Sequence, residues 1–188
     1  MGLYDVEPID LSNISTYELA SRPSKVTVSD FARPLAESDS VAKMLAKLPN
    51  ILAVRQMREL SERVRRARDL GKPIIWGFGG HVIKTGLAPV VIDLMKRGLV
   101  NAIACNGSVL VHDSEIARVG FTSEDVDATL GKGDFGAARE TGELLNVAAE
   151  AAGKRGVGLG ESISASLAAE NPPHAASSIL CAAYKLRI

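Results

Sequence analysis

An α/β fold with a parallel sheet is predicted by three features of this chain. Hydrophobic residues make up 46% of it and aromatics only 4%, so Val, Ile, Leu and Ala must fill the core, as they do between helices and a buried sheet. Two short apolar runs, Ile74 to Trp76 and Val100 to Ala104, flank an amphipathic stretch with the spacing of a parallel β-α-β unit and a right-handed crossover. Gly77, Gly79 and Gly80 interrupt the chain right after the first run, where open parallel sheets carry ligand loops. At 188 residues and 19.9 kDa the chain suffices for one domain with an arm, and can bury roughly 70% of its unfolded surface.

Residues 1 to about 37 carry Pro8, Pro23 and Pro34 and little periodicity, which predicts an extended arm; only the alternating Lys25-Val26-Thr27-Val28-Ser29 suggests a short strand. Val41, Met44, Leu45 and Leu48 follow helical spacing behind Ser38 or Ser40 as N-cap. A longer helix is expected from about Ile51 to Leu70, stopped by Gly71; its arginines, Arg55 to Arg68, with Glu59 and Glu62 among them, form a solvated face. The β-α-β unit comes next, its helix spanning roughly Leu87 to Arg97, with Asn106-Gly107 closing the second strand. Val109 to Val111 could add extended residues. Helices are then expected at about 112 to 119, 123 to 130, 136 to 152, 160 to 169 and 174 to 185. Two or three strands are few for so many helices to cover, so residues 38 to 188 read as an α/β domain that is truncated or completed by a partner subunit.

Lys plus Arg (22) equals Asp plus Glu (22), which removes the electrostatic case for nucleic acid or an anionic membrane. No apolar run reaches about 18 residues and the start lacks a signal peptide's pattern, so a soluble, cytoplasmic protein is expected. Cys105 and Cys181 lie in no metal or redox motif and read as free thiols.

The chemistry-bearing residues gather after the two strands. Gly77, Gly79 and Gly80 could let backbone N–H groups approach a phosphate, or could only form a tight turn: Val82 stands where a dinucleotide fingerprint has its third glycine. His81 and Lys84 follow on that loop. Asn106 and Gly107 end the second strand, where Asn106 could bond a hydroxyl or serve an ordinary turn. His112, Asp113, Ser114 and Glu115 come just beyond, suited to proton transfer and ribose contacts or to capping. Cys105 is a candidate nucleophile only beside a base, and His81, His112 and Glu115 have no close-spaced metal signature, so no metal is expected. Gly156 to Glu161 is a second glycine-rich stretch, a ligand loop or a connector.

Gly80-His81-Val82-Ile83-Lys84-Thr85-Gly86-Leu87, Asn101-Ala102-Ile103-Ala104-Cys105-Asn106-Gly107 and His112-Asp113-Ser114-Glu115 together resemble the cofactor half of the deoxyhypusine synthase-like proteins, above all an uncharacterised bacterial branch. The likeness spans nearly the whole chain. It implies a Rossmann-like, three-layer parallel sheet with helices on both faces, preceded by an extended N-terminal arm. It also implies NAD as cofactor, with Lys84, Thr85 and Gly86 on the first loop, Asn106 and Gly107 on the second, and Asp113 and Glu115 toward the ribose; Gly77, Gly79 and Gly80 join this cofactor set by their position after the first strand, and His81, Lys84 and His112 are the candidate catalytic groups by their chemical type. Deoxyhypusine synthase oxidises spermidine and passes an aminobutyl group through an enzyme lysine to a translation factor; no segment here matches the one bearing that lysine. The expected protein is therefore an NAD-binding homo-oligomer acting as a transferase or oxidoreductase on an amine. The alternatives are a module that binds a nucleotide or small ligand without catalysis, and a structural interaction protein.

Overall fold

The computed structural model describes residues 7–129, 131 and 133–188; the first six residues of the expected arm and residue 130 of an expected helix lie outside them. Contacts divide the chain into two compact units, Met1–Leu60 and Ser61–Ile188.

None of the described residues of the first unit is fully buried. It holds two 3-10 turns, Leu19–Ser21 and Val28–Asp30, the helix α1 (Val41–Lys47) and the start of α2 (Leu52–Asp69). Ser40 is the N-cap of α1 and its hydroxyl accepts from the Lys43 N–H, as its position before the apolar pattern predicts. The strand expected at Lys25 to Ser29 does not form. The backbone N–H and hydroxyl of Thr27 both donate to the Asp30 carboxylate, which closes a capping box around a tight turn. Part of the arginine face of α2 also works locally: Arg58 Nη2 donates to the carbonyls of Leu45 at 3.0 Å and Leu48 at 3.1 Å, satisfying orphan acceptors at the end of α1.

The second unit contains β1 (Ile75–Phe78), α3 (His81–Lys84), α4 (Ala88–Lys96), β2 (Ala102–Cys105), α5 (Gly107–Val119), α6 (Val126–Thr129), α7 (Arg139–Arg155), α8 (Leu159–Ala169) and α9 (Ile179–Leu186). The expected β-α-β unit is present: β1 and β2 pair in parallel, with Ile75 opposite Ala102 and Phe78 opposite Cys105. Asn101 fixes the entry to both strands, accepting from the Ile74 N–H at 2.7 Å and donating to the Lys72 carbonyl.

The three-layer, Rossmann-like parallel sheet is not what forms. Among the described residues the sheet has only these two strands, and the architecture is mostly helical. Trp76, Phe78 and Ile103 turn toward a cluster that includes Val91, Ile92, Met95, Val100, Val109 and Ile179, whereas Ile75, in the opposite pleat, is 65% exposed. Helices thus cover one face of the sheet and not both. A second cluster joins Leu110, Ala117, Leu144, Ala148, Ile163, Leu167, Leu180 and Cys181 with no strand in it. Val109 to Val111, read as extended, belong to α5, which begins five residues earlier than its pattern suggested. Val109 and Leu110 are both buried because α5 packs between the two clusters. The physical reason is the supply of small residues. Ala117, Ala148, Ala152 and Ser162 let helices approach closely, and Ser162 Oγ donates to the Ala148 carbonyl at 2.7 Å, so helix-on-helix packing buries what a wider sheet would have covered.

Candidate functional site

Two loops leave the carboxyl ends of the parallel strands side by side. The first runs from β1 through Gly79 and Gly80 into α3; the second passes from β2 through Asn106 into α5. They touch: a Cβ on Gly79 would stand 3.4 Å from Asn106 Nδ2, and one on Gly80 would stand 2.2 Å from Ser108 Oγ and 2.9 Å from His112 Cδ2. Only hydrogen fits at Gly80, because the start of α5 closes against it.

Beyond this contact lies a cleft of about 590 Å3, within the range of small-molecule sites. Lys84 from α3, His112 and Glu115 from α5, and Thr141, Glu143 and Asn146 from α7 line it, with the loop residues Ser123, Glu124 and Arg139. The structure therefore brings together three of the residues singled out in the sequence, Lys84, His112 and Glu115. Glu115 is held from both sides: Thr122 Oγ1 donates to its Oε2, and Thr141 Oγ1 donates to its Oε1 at 3.1 Å. His112 Nδ1 lies 2.7 Å from the same Thr122 hydroxyl and 3.7 Å from Glu115 Oε2. The imidazole pKa is pulled below its ordinary value, first by burial and then by the Lys84 charge and His81, with Glu115 pulling the other way. His112 is neutral at pH 7, which is the form that can accept a proton.

The remaining sequence-predicted residues are placed differently. Asp113 is fully buried and points away from the cleft, accepting from Ser178 Oγ at 2.6 Å and from the backbone N–H groups of Ile179 at 2.8 Å and Leu180 at 2.9 Å. It caps the N-terminus of α9 from another helix; burial pushes its pKa up, against the pull of these three donors. Gly79 and Gly80 have their open sides closed by Asn106, Ser108 and His112. Gly77 lies in β1 itself. His81, Thr85 and Gly86 are exposed outside the cleft lining, the Thr85 hydroxyl donating back to the His81 carbonyl at 2.7 Å. Asn106 and Gly107 are exposed at the head of α5, and nothing lies within 4 Å of where a Cβ on Gly107 would be. Cys105 is exposed, and partial burial together with the Asp113 charge raises its thiol pKa, so it is held as the thiol.

Sequence reasoning gave neither Thr122 nor Thr141 a place in this site. No spacing rule finds them: they reach Glu115 from 7 and 26 residues away, after the chain has reversed at Gly120. Among the described residues, no group of three or more His, Cys, Asp and Glu could hold a metal ion, and no helix is long and apolar enough to cross a membrane. No family model, curated protein or solved structure matches the chain.

Proposed function

We propose that the second unit binds an NAD-type dinucleotide at the carboxyl edge of β1 and β2 and that His112 accepts a proton from an amine held in the adjacent cleft. The observation that carries this reading is His112, hydrogen-bonded through Thr122 to Glu115 on the wall of a 590 Å3 cleft, directly beside the two strand-to-helix loops. The donor set suits such a ligand. Gly107 and Ser108 offer open backbone at the head of a 13-residue helix for phosphate oxygens, Asn106 offers an amide for a ribose hydroxyl, and Lys84 offers a positive charge. Asp113 is replaced in that role by Asn106, since its carboxylate is enclosed. Bound NAD would supply a hydride acceptor; His112 would take the proton released as an amine is oxidised. A homo-oligomer in the cytoplasm belongs to the same proposal, and its native mass reports the assembly.

Binding of a nucleotide or other small ligand without turnover is the second reading, favoured by the closure of Gly79 and Gly80, which removes the usual glycine cradle. The test is a titration of the full chain with NAD, followed by the fluorescence of Trp76, its single tryptophan, on β1. Saturable quenching, weakened about tenfold by Lys84→Ala (about 1.4 kcal/mol), is expected. Absence of saturation at millimolar NAD overturns the assignment. Saturation without NADH formation from any amine leaves the second reading.

A further inference from the structure

The hydroxyl of Thr122 has a single proton, and that proton is directed at Glu115 Oε2, an acceptor-only group when ionised. What it presents to His112 is therefore a lone pair. A contact of 2.7 Å to Nδ1 then requires the hydrogen to sit on Nδ1. The other edge of the ring is accounted for as well. Cδ2 packs where Gly80 lacks a side chain, so Nδ1 and Cδ2 are both covered and the edge formed by Cε1 and Nε2 is the one left to face the cleft that His112 lines. Among the described residues no buried side-chain nitrogen or oxygen lacks a partner, and no hydrogen bond involves Nε2, so this atom is open to the cleft.

We infer that Thr122 is a positioning residue: held by Glu115, it fixes His112 as the Nδ1–H tautomer and leaves the Nε2 lone pair facing the cleft as the acceptor of a ligand's proton. Thr141 completes the arrangement by donating to the other Glu115 oxygen, so the carboxylate has donors on both sides. When Nε2 takes a proton the ring becomes an imidazolium, its Nδ1–H still donating to Thr122 and the Glu115 charge 3.7 Å away. The charged and titratable groups around the ring are Lys84 and His81 from α3 and Glu115 from α5; the first two oppose protonation and the third favours it. The inference rests on the proposed function only for what the proton comes from; the tautomer is a property of the chain alone.

The tautomer is read from imidazole 15N shifts of the full chain at pH 8, with the His112→Gln variant assigning His112 against His81 and His174. The wild type is expected to show a protonated Nδ1 and a bare Nε2. Thr122→Ser retains that pattern. Thr122→Val puts a methyl between the ring and the carboxylate and moves His112 to predominantly Nε2–H. A wild-type His112 already in the Nε2–H form, or a Val variant with the wild-type pattern, overturns the inference; if the Val variant does not fold, the wild-type spectrum alone decides. Nδ1–H in a protein that fails to bind NAD refutes the cofactor reading and leaves this one standing, and Nε2–H in a protein that binds NAD does the reverse.

Discussion

Replacing Asp113 by alanine tests the packing of α5 on α9. The carboxylate is wholly enclosed and takes three hydrogen bonds, from Ser178 Oγ and the N–H groups of Ile179 and Leu180. Truncation leaves two backbone donors inside the protein with no acceptor, at about 1–3 kcal/mol each. Ser178 loses less, because its hydroxyl can turn, although it still has to accept from the Cys181 N–H as the cap of α9. Removing the buried charge returns part of its desolvation cost, so the net loss is about 3–5 kcal/mol, the range for breaking one side of a buried charged network. Against a typical total of about 5–15 kcal/mol this is a large fraction, and it lowers Tm by roughly 6–20 °C. Asp113→Asn keeps the volume and one acceptor oxygen and is expected to lose about half as much. Urea unfolding followed by helical circular dichroism measures both variants. An alanine variant within about 1 kcal/mol of the wild type refutes the capping argument.

Gly80→Ala places a methyl 2.2 Å from Ser108 Oγ and 2.9 Å from the His112 ring, so it costs about 1–3 kcal/mol and displaces His112 from Thr122; wild-type stability with an unchanged His112 spectrum is the contrary result. Because the folded protein holds the His112 pKa below 6.5, the unfolded chain binds more protons between that lowered value and 6.5. Stability is therefore complete above 6.5 and falls as the pH drops through the window, and His112→Gln flattens this part of the stability profile; parallel profiles from pH 7.5 to 5 would contradict it.

Local punctuation was legible. The cap at Ser40, the end of α4 at Arg97 and the strand-helix-strand spacing around the glycine cluster depend on residues a few positions apart, and the chain obeys them. The extent of the sheet was not legible, because aliphatic residues and alanine fill a helical interface as well as they flank a buried sheet. Val109, Leu110 and Val111 show the ambiguity: three consecutive apolar residues have no period, and the two buried clusters on either side of α5 decide their state. The candidate site divided in the same way. His112, Asp113 and Glu115 were recognisable as chemically able, yet each step along a helix turns by about 100°, so Asp113 and Glu115, two positions apart, point to nearly opposite sides, one carboxylate into the core and the other to the cleft. Which one did so depends on Ser178 and Thr141, which lie 65 and 26 residues from the carboxylates they bind.

The bonds of Asp113 span 65, 66 and 67 residues, and this sets an order of events as the chain is made. The loops after β1 and β2, and the helix carrying His112, all emerge before Ser178 does. Until then Asp113 lacks its three donors, and α5 has α3, α7 and α8 to pack against but not α9. The wall of the cleft is thus fastened late, by residues that take no part in lining it. A nascent chain halted short of Leu180 would display its glycine loop and its histidine without the donors through which Ser178, Ile179 and Leu180 brace α5.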